Sequence, residues 1–71
     1  MSIGDTDMAH EILRFPQVMA ITGLPRSTIV AKLADDNDNF PRPIRLGARS
    51  VGFVAQEIDD WLTERIEISR R

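Results

Sequence analysis

Two short runs of apolar residues at helical spacing lie close together in the first half of the chain, and a glycine separates them. The first predicts a helix from Pro16, well suited to an opening turn, to about Thr22, and the second predicts one from Pro25 to about Asp35. Gly23 adopts positive φ at no steric cost, Leu24 can plug the core beneath the turn, and Pro25 opens the next helix with its φ already helical. On the second helix Ile29, Val30 and Leu33 are expected to pack, while Ser27, Thr28, Ala31, Lys32 and Asp35 are expected to face outward. The stretch ITGLPRSTIVAKL, Ile21 to Leu33, therefore reads as a helix-turn-helix. Its second helix can enter a DNA major groove because the outer side is small and polar. An ordinary αα-hairpin with a solvated face would show the same pattern.

Past this motif the period changes to two. In FPRPIRLGARSVGF, Phe40 to Phe53, Ile44 and Leu46 alternate, Gly47-Ala48-Arg49 follows, and Val51 and Phe53 alternate again, which predicts a hairpin with one buried face. Arg42, Arg45 and Arg49 are expected at its outward and tip positions, where guanidinium groups can contact phosphates or reach into the minor groove. Exposed arginines on strands also serve simply to keep a sheet edge soluble. A brief strand is expected within Ile12 to Phe15, and a third helix from about Ala55 to Ile66, with Ile58, Trp61, Leu62 and Ile66 inward and Glu57, Asp59, Asp60 and Glu64 outward. The fold class expected is mainly α with a small β-hairpin: a winged helix-turn-helix of three helices plus a two- or three-stranded wing. The domain should span residues 12–68, between a flexible leader at 1–11 and a frayed end at 69–71.

The segments EILRFPQVMAITGLPRSTIVAKL and FPRPIRLGARSVGF, followed by EIDDWL, together resemble the AlpA family of phage and prophage regulatory proteins over roughly Ile12 to Glu64. The specific parts are TGLPRSTI (Thr22 to Ile29), FPRPIRLGARSVG (Phe40 to Gly52) and the set Glu57, Ile58, Trp61 and Leu62. The resemblance implies a small winged helix-turn-helix akin to the DNA-binding part of MerR-type regulators. It also implies a transcription regulator of mobile-element genes, often acting on integrase expression; some related small proteins are excisionases that bend attachment-site DNA. The link from Asp35 to Asn39 is longer and more acidic than the short connection common in that family, and Val30 stands where an aromatic is frequent.

Charge qualifies this reading. The formal charge is −2, unusual for a nucleic-acid binder, yet residues 14 to 53 hold six basic groups against three acidic ones, and both ends are negative. Charges farther apart than about 8–10 Å are largely screened at physiological salt, so the local sign matters more than the total. With 71 residues and no cysteine, the chain is expected to form one modest core held by packing alone, without a disulfide or cysteine-based zinc site. No signal peptide or membrane span is expected, so the location expected is cytoplasmic. His10 stands without a second ligand or partner carboxylate, and Asp35-Asp36-Asn37-Asp38 lacks the central glycine and closing glutamate of a calcium loop and reads as a turn whose side chains are solvated. Trp61 could stack on a base, but its spacing from Ile58 and Leu62 makes it a core anchor. No nucleophile–base pair or phosphate-binding glycine loop occurs, so neither enzyme activity nor a catalytic residue, cofactor, metal or small-molecule ligand is expected.

The leading expectation is a sequence-specific regulator bound to double-stranded DNA, with Arg26, Ser27, Thr28 and Lys32 in the major groove and Arg42, Arg45 and Arg49 on the flanking backbone or minor groove. Partners would be DNA and, through cooperative binding at repeated sites, further copies of the chain. The alternatives are an excisionase on attachment-site DNA and a protein-interaction module whose acidic surface docks on a recombinase.

Overall fold

The structure, a computed structural model, describes residues 11–71. Its elements are β1 (Ile12–Leu13), α1 (Phe15–Thr22), α2 (Arg26–Ala34), β2 (Ile44–Arg45), β3 (Val51–Val54) and α3 (Ala55–Ser69). The strands form one antiparallel sheet in the order β1-β3-β2, so the chain is a winged helix-turn-helix with a three-stranded wing.

Local chemistry sets the helix-turn-helix. The Arg14 N–H donates to Gln17 Oε1 at 2.8 Å, satisfying a free donor at the start of α1. At the other end Gly23 takes φ 74°, a left-handed conformation, and its N–H bonds the Met19 carbonyl. Thr22 Oγ1 donates to the Val18 carbonyl at 2.7 Å and accepts from the Leu24 N–H at 3.3 Å, so the turn keeps its polar groups paired. Pro25 stands one residue ahead of α2 in extended conformation, and its carbonyl receives the Thr28 and Ile29 N–H groups at 3.1 and 3.2 Å.

The wing departs from the expected pairing. Ile44 lies opposite Gly52 and Arg45 opposite Val51, while Leu13 lies opposite Phe53. Directly paired residues share a face of the sheet, so Leu13 and Phe53 share the core side with Val51 and Arg45, and Ile44 is on the other side. Ile44, Leu46 and Val51 are 40, 45 and 39% exposed, which corrects the expectation of a hairpin with a continuous buried face. The two-residue β2 is an edge strand reaching past the core, and burial stops at Phe53. Gly52 is buried where β1 crosses β3; a Cβ there would collide with Ile12 Cγ2 and come within 3.3 Å of the Leu13 carbonyl oxygen.

The core consists of Leu13, Val18, Ile29, Phe40, Phe53, Ile58 and Trp61, with Leu24 and Leu33 packed against it. All four aromatic side chains form a row of edge-to-face contacts: Phe15 to Phe53 at 5.4 Å, Phe53 to Phe40 at 6.2 Å and Phe40 to Trp61 at 4.9 Å between ring centres. Trp61 is the core anchor its spacing predicts, and removing such an aromatic would cost about 3–5 kcal/mol. The third helix runs to Ser69, past the expected Ile66, and Ile66, expected to face inward, is 47% exposed because the core ends before the last turns of α3. The expected leader and His10 lie outside the described residues, except Glu11, whose carbonyl accepts the Ala55 N–H at 2.8 Å.

Candidate nucleic-acid interface

The outward stripe of α2 consists of Arg26, Ser27, Val30, Ala31 and Ala34, all exposed and spaced to lie along one side of the helix. Val30, expected to pack, is 49% exposed. The core receives Ile29 and Leu33; Val30, about 100° further round the helix axis than Ile29, is turned out of that seam. Thr28 and Lys32 are half-buried and flank the stripe instead of forming its crest. Ser27, Ala31 and Ala34 keep this side low, and Arg26 stands at its N-terminal end.

Three arginines from three elements meet beside it. Arg14 immediately precedes α1, Arg26 is the first residue of α2, and Arg49 lies in the turn of the wing; together with Phe15, Pro16 and Val51 they line a cleft of about 520 Å³ that, among the described residues, no carboxylate lines. The Arg26 guanidinium rests 4.2 Å from the centre of the Phe15 ring, a cation–π contact that orients it. Free N–H groups at the start of each helix add partial positive charge to those of the side chains. Sequence reasoning counted Arg14 only as a charge; the signal that could have found it is its position just ahead of a proline-started helix. Arg45 Nη1 bonds the Ala48 carbonyl at 3.2 Å and so braces the wing turn, leaving the rest of its guanidinium exposed.

Two other expected contacts are turned elsewhere. Lys32 Nζ lies 3.4 Å from Asp38 Oδ2 and 5.5 Å from the centre of the Trp61 ring, directed at the loop after α2. The Arg42 guanidinium donates to the carbonyl of Leu33 and to those of Asp35 and Asp38, both at 2.9 Å, clamping the C-terminus of α2 to the acidic loop. Arg42 thus holds the protein's own backbone. The loop is the turn that its composition predicts, with the Asn37 and Phe40 N–H groups bonded to the side chains of Asp35 and Asp38 at 2.9 Å each. Asp38 is not merely solvated: the Phe40 N–H and then the ammonium of Lys32 hold its carboxyl below the ordinary value of 3.8, with Arg42 adding to them and slight burial opposing. Among the described residues no helix is long and apolar enough to cross a membrane, and no group of three His, Cys, Asp or Glu side chains is placed to hold a metal ion.

Known proteins are similar to this chain in sequence. The family described as "Prophage CP4-57 regulatory protein (AlpA)" matches residues 11–66, from the start of the described chain to the last turns of α3. This chain belongs to the AlpA family. The Escherichia coli (strain K12) protein named "DNA-binding transcriptional activator AlpA" is 39% identical to this family member over 64 residues, covering 84% of this chain and 91% of the relative. An Enterobacteria phage P4 protein named "Uncharacterized protein ORF88" is 36% identical over 66 residues, covering 92% of this chain and 73% of its own. No solved structure matches this AlpA-family chain significantly.

Proposed function

We propose that this AlpA-family chain is a sequence-specific double-stranded DNA-binding transcriptional regulator of a prophage or other mobile element, acting in the cytoplasm. The observation that carries the reading is the convergence of Arg14, Arg26 and Arg49 on one cleft, lined by no carboxylate among the described residues, beside the small-residue stripe of α2. In this arrangement α2 enters the major groove, where Arg26 and Ser27 meet base edges and Val30 meets a thymine methyl group. Arg14 and Arg49 hold phosphates on either side, Arg45 lies along the wing toward the minor groove, and Thr28 and Lys32 face the groove wall. The name of the Escherichia coli relative and the phage origin of the second support the same reading. A module of this size should bury roughly 600–1,000 Å² on DNA, too little for high specificity from one copy, so several copies are expected to bind repeated sites cooperatively.

Fluorescence-anisotropy titrations against duplexes from the protein's own genomic neighbourhood and against random duplexes test this. Three to five phosphate contacts predict a slope of log K against log salt of about −3 to −4.5. Arg49→Ala should weaken every duplex about equally and make that slope about one unit shallower, whereas Arg26→Ala should relax preference at one base pair and cost about 1–3 kcal/mol on the preferred site only. Failure to bind any native-neighbourhood duplex at low salt would sink the regulator reading, and loss of preference in Arg49→Ala alone would overturn the groove assignment.

A further inference from the structure

Between the loop after α2 and the N-terminal half of α3 lies a second concavity, an open groove of about 730 Å³ that shares no lining residue with the arginine cleft. Its apolar lining is Phe40, Pro41, Pro43, Ile44 and Trp61. Phe40 and Trp61 are buried, the two prolines half-buried, and Ile44 is 40% exposed, so the apolar lining reaches solvent through Pro41, Pro43 and Ile44. Around the strip stand Asp36, Asp38, Glu57, Asp60 and Glu64.

This charge is not compensated within the described residues. The ion pair there joins Lys32 to Asp38, leaving Asp36, Glu57, Asp60 and Glu64 without a cationic partner. The one basic residue lining the groove, Arg42, has its guanidinium committed to three backbone carbonyls. Glu57, Asp60 and Glu64 lie three and four residues apart on α3, so like charges are stacked along one helix face, an arrangement that destabilises a helix. Trp61, which lines the groove, is 8% exposed, and its Nε1–H is buried and makes no hydrogen bond among the described residues.

We propose that this groove docks a Lys/Arg-rich segment of a partner protein that carries one large apolar side chain, with the apolar group on Ile44 and Trp61 and its basic neighbours on Glu57, Asp60 and Glu64. Charge complementarity selects this occupant. Nucleic acid would be repelled by the same carboxylates, and residues 1–10 of the chain carry Asp5 and Asp7 but no lysine or arginine. A second copy would have to offer either the arginines of its own cleft, in competition with DNA, or Arg65, Arg70 and Arg71 at the end of α3, which are diluted by Glu64 and Glu67. The DNA-binding cleft and this groove can instead be filled at once, which suits a protein that brings another protein to its DNA site.

The test is a titration of the full chain, followed by amide and indole NMR shifts and by the fluorescence of Trp61, the chain's one tryptophan. The probe is the synthetic peptide Lys-Arg-Lys-Leu-Lys-Arg-Lys, with a control in which Ser replaces Leu. Saturable shifts are expected at the Trp61 indole, Ile44, Glu57, Asp60 and Glu64, with the serine control binding about tenfold more weakly, the equivalent of partly burying one leucine side chain. The double variant Asp60→Asn, Glu64→Gln should weaken the leucine peptide at least fivefold while its DNA affinity at physiological salt stays the same. Equal binding of the two peptides, or shifts spread over all surface carboxylates, would overturn the proposal as non-specific attraction. So would groove shifts that grow with protein concentration in the absence of peptide, which would make a second copy the occupant, and so would the absence of any saturable shift.

Discussion

Asp38 differs from the acidic residues around it in what its two oxygens do. Oδ1 accepts the Phe40 N–H at 2.9 Å and Oδ2 faces Lys32 Nζ at 3.4 Å, whereas Asp36 stands in the turn with no such partner among the described residues. Both interactions favour the charged carboxylate, so its pKa is depressed in the folded chain. A carboxylate of this kind contributes stability that is fully present above its unfolded value, near 3.8, and is lost as pH falls through the lower folded value. Asp38→Ala should therefore lower Tm at neutral pH, and its deficit relative to the parent chain should narrow as pH drops below 3.8, a trend that thermal melts at a series of pH values would follow. A deficit that stayed constant down to pH 2.5 would mean that the charge is irrelevant and the side chain acts only as a spacer. Sequence alone treats the aspartates of this loop as equivalent because composition marks a turn but does not say which carboxylate caps which N–H. Val30 was missed for a related reason: helical periodicity places Ile29, Val30 and Leu33 within one broad apolar arc, and only the direction of the core picks the two that pack.

The helices were legible element by element because their signals are local. Proline at each helix-turn-helix start, glycine at the turn and apolar residues at helical spacing set α1 and α2 to within a residue or two. The wing was legible as a hairpin but not in its register. Alternation suggests that Ile44, Leu46, Val51 and Phe53 share a face, yet the Gly47 to Arg49 turn sets Ile44 opposite Gly52, where no side chain competes with Ile12. Arg42 joins these elements. It precedes β2 in the chain, and its guanidinium grips the end of α2 and the acidic loop through three carbonyls. Lysine cannot reproduce a planar fork that serves several acceptors, so Arg42→Lys is expected to cost about 1–2 kcal/mol in chemical denaturation. Because the clamp fixes how the wing leaves α2, the same variant should weaken DNA binding for all duplexes while leaving the salt slope unchanged. A slope about one unit shallower would instead identify Arg42 as a phosphate contact.

At the scale of the whole molecule, the net charge of −2 conceals a separation of sign. An arginine cleft and a carboxylate-rimmed groove occupy a body of 37 × 36 × 22 Å and share no lining residue, linked through the row of aromatics from Phe15 beside the cleft to Trp61 beside the groove. Screening determines how far one surface feels the other. The Debye length is about 8 Å at 0.15 M salt and about 30 Å at 0.01 M, comparable with the size of the molecule. Neutralising the groove by Glu57→Gln, Asp60→Asn and Glu64→Gln should therefore leave DNA affinity within about twofold near 0.15 M salt and raise it several-fold near 0.01 M, without altering the preferred site. The variant should also be slightly more stable, by about 0.2–0.5 kcal/mol for each like-charge pair removed from α3, because those carboxylates repel one another along the helix. Anisotropy titrations at both salt concentrations and a denaturation curve measure these effects on one set of samples. A large gain in DNA affinity at 0.15 M would place the groove carboxylates beside the bound phosphates and require DNA to cross α3, whereas unchanged affinity at both concentrations would mean that groove and cleft are electrostatically independent.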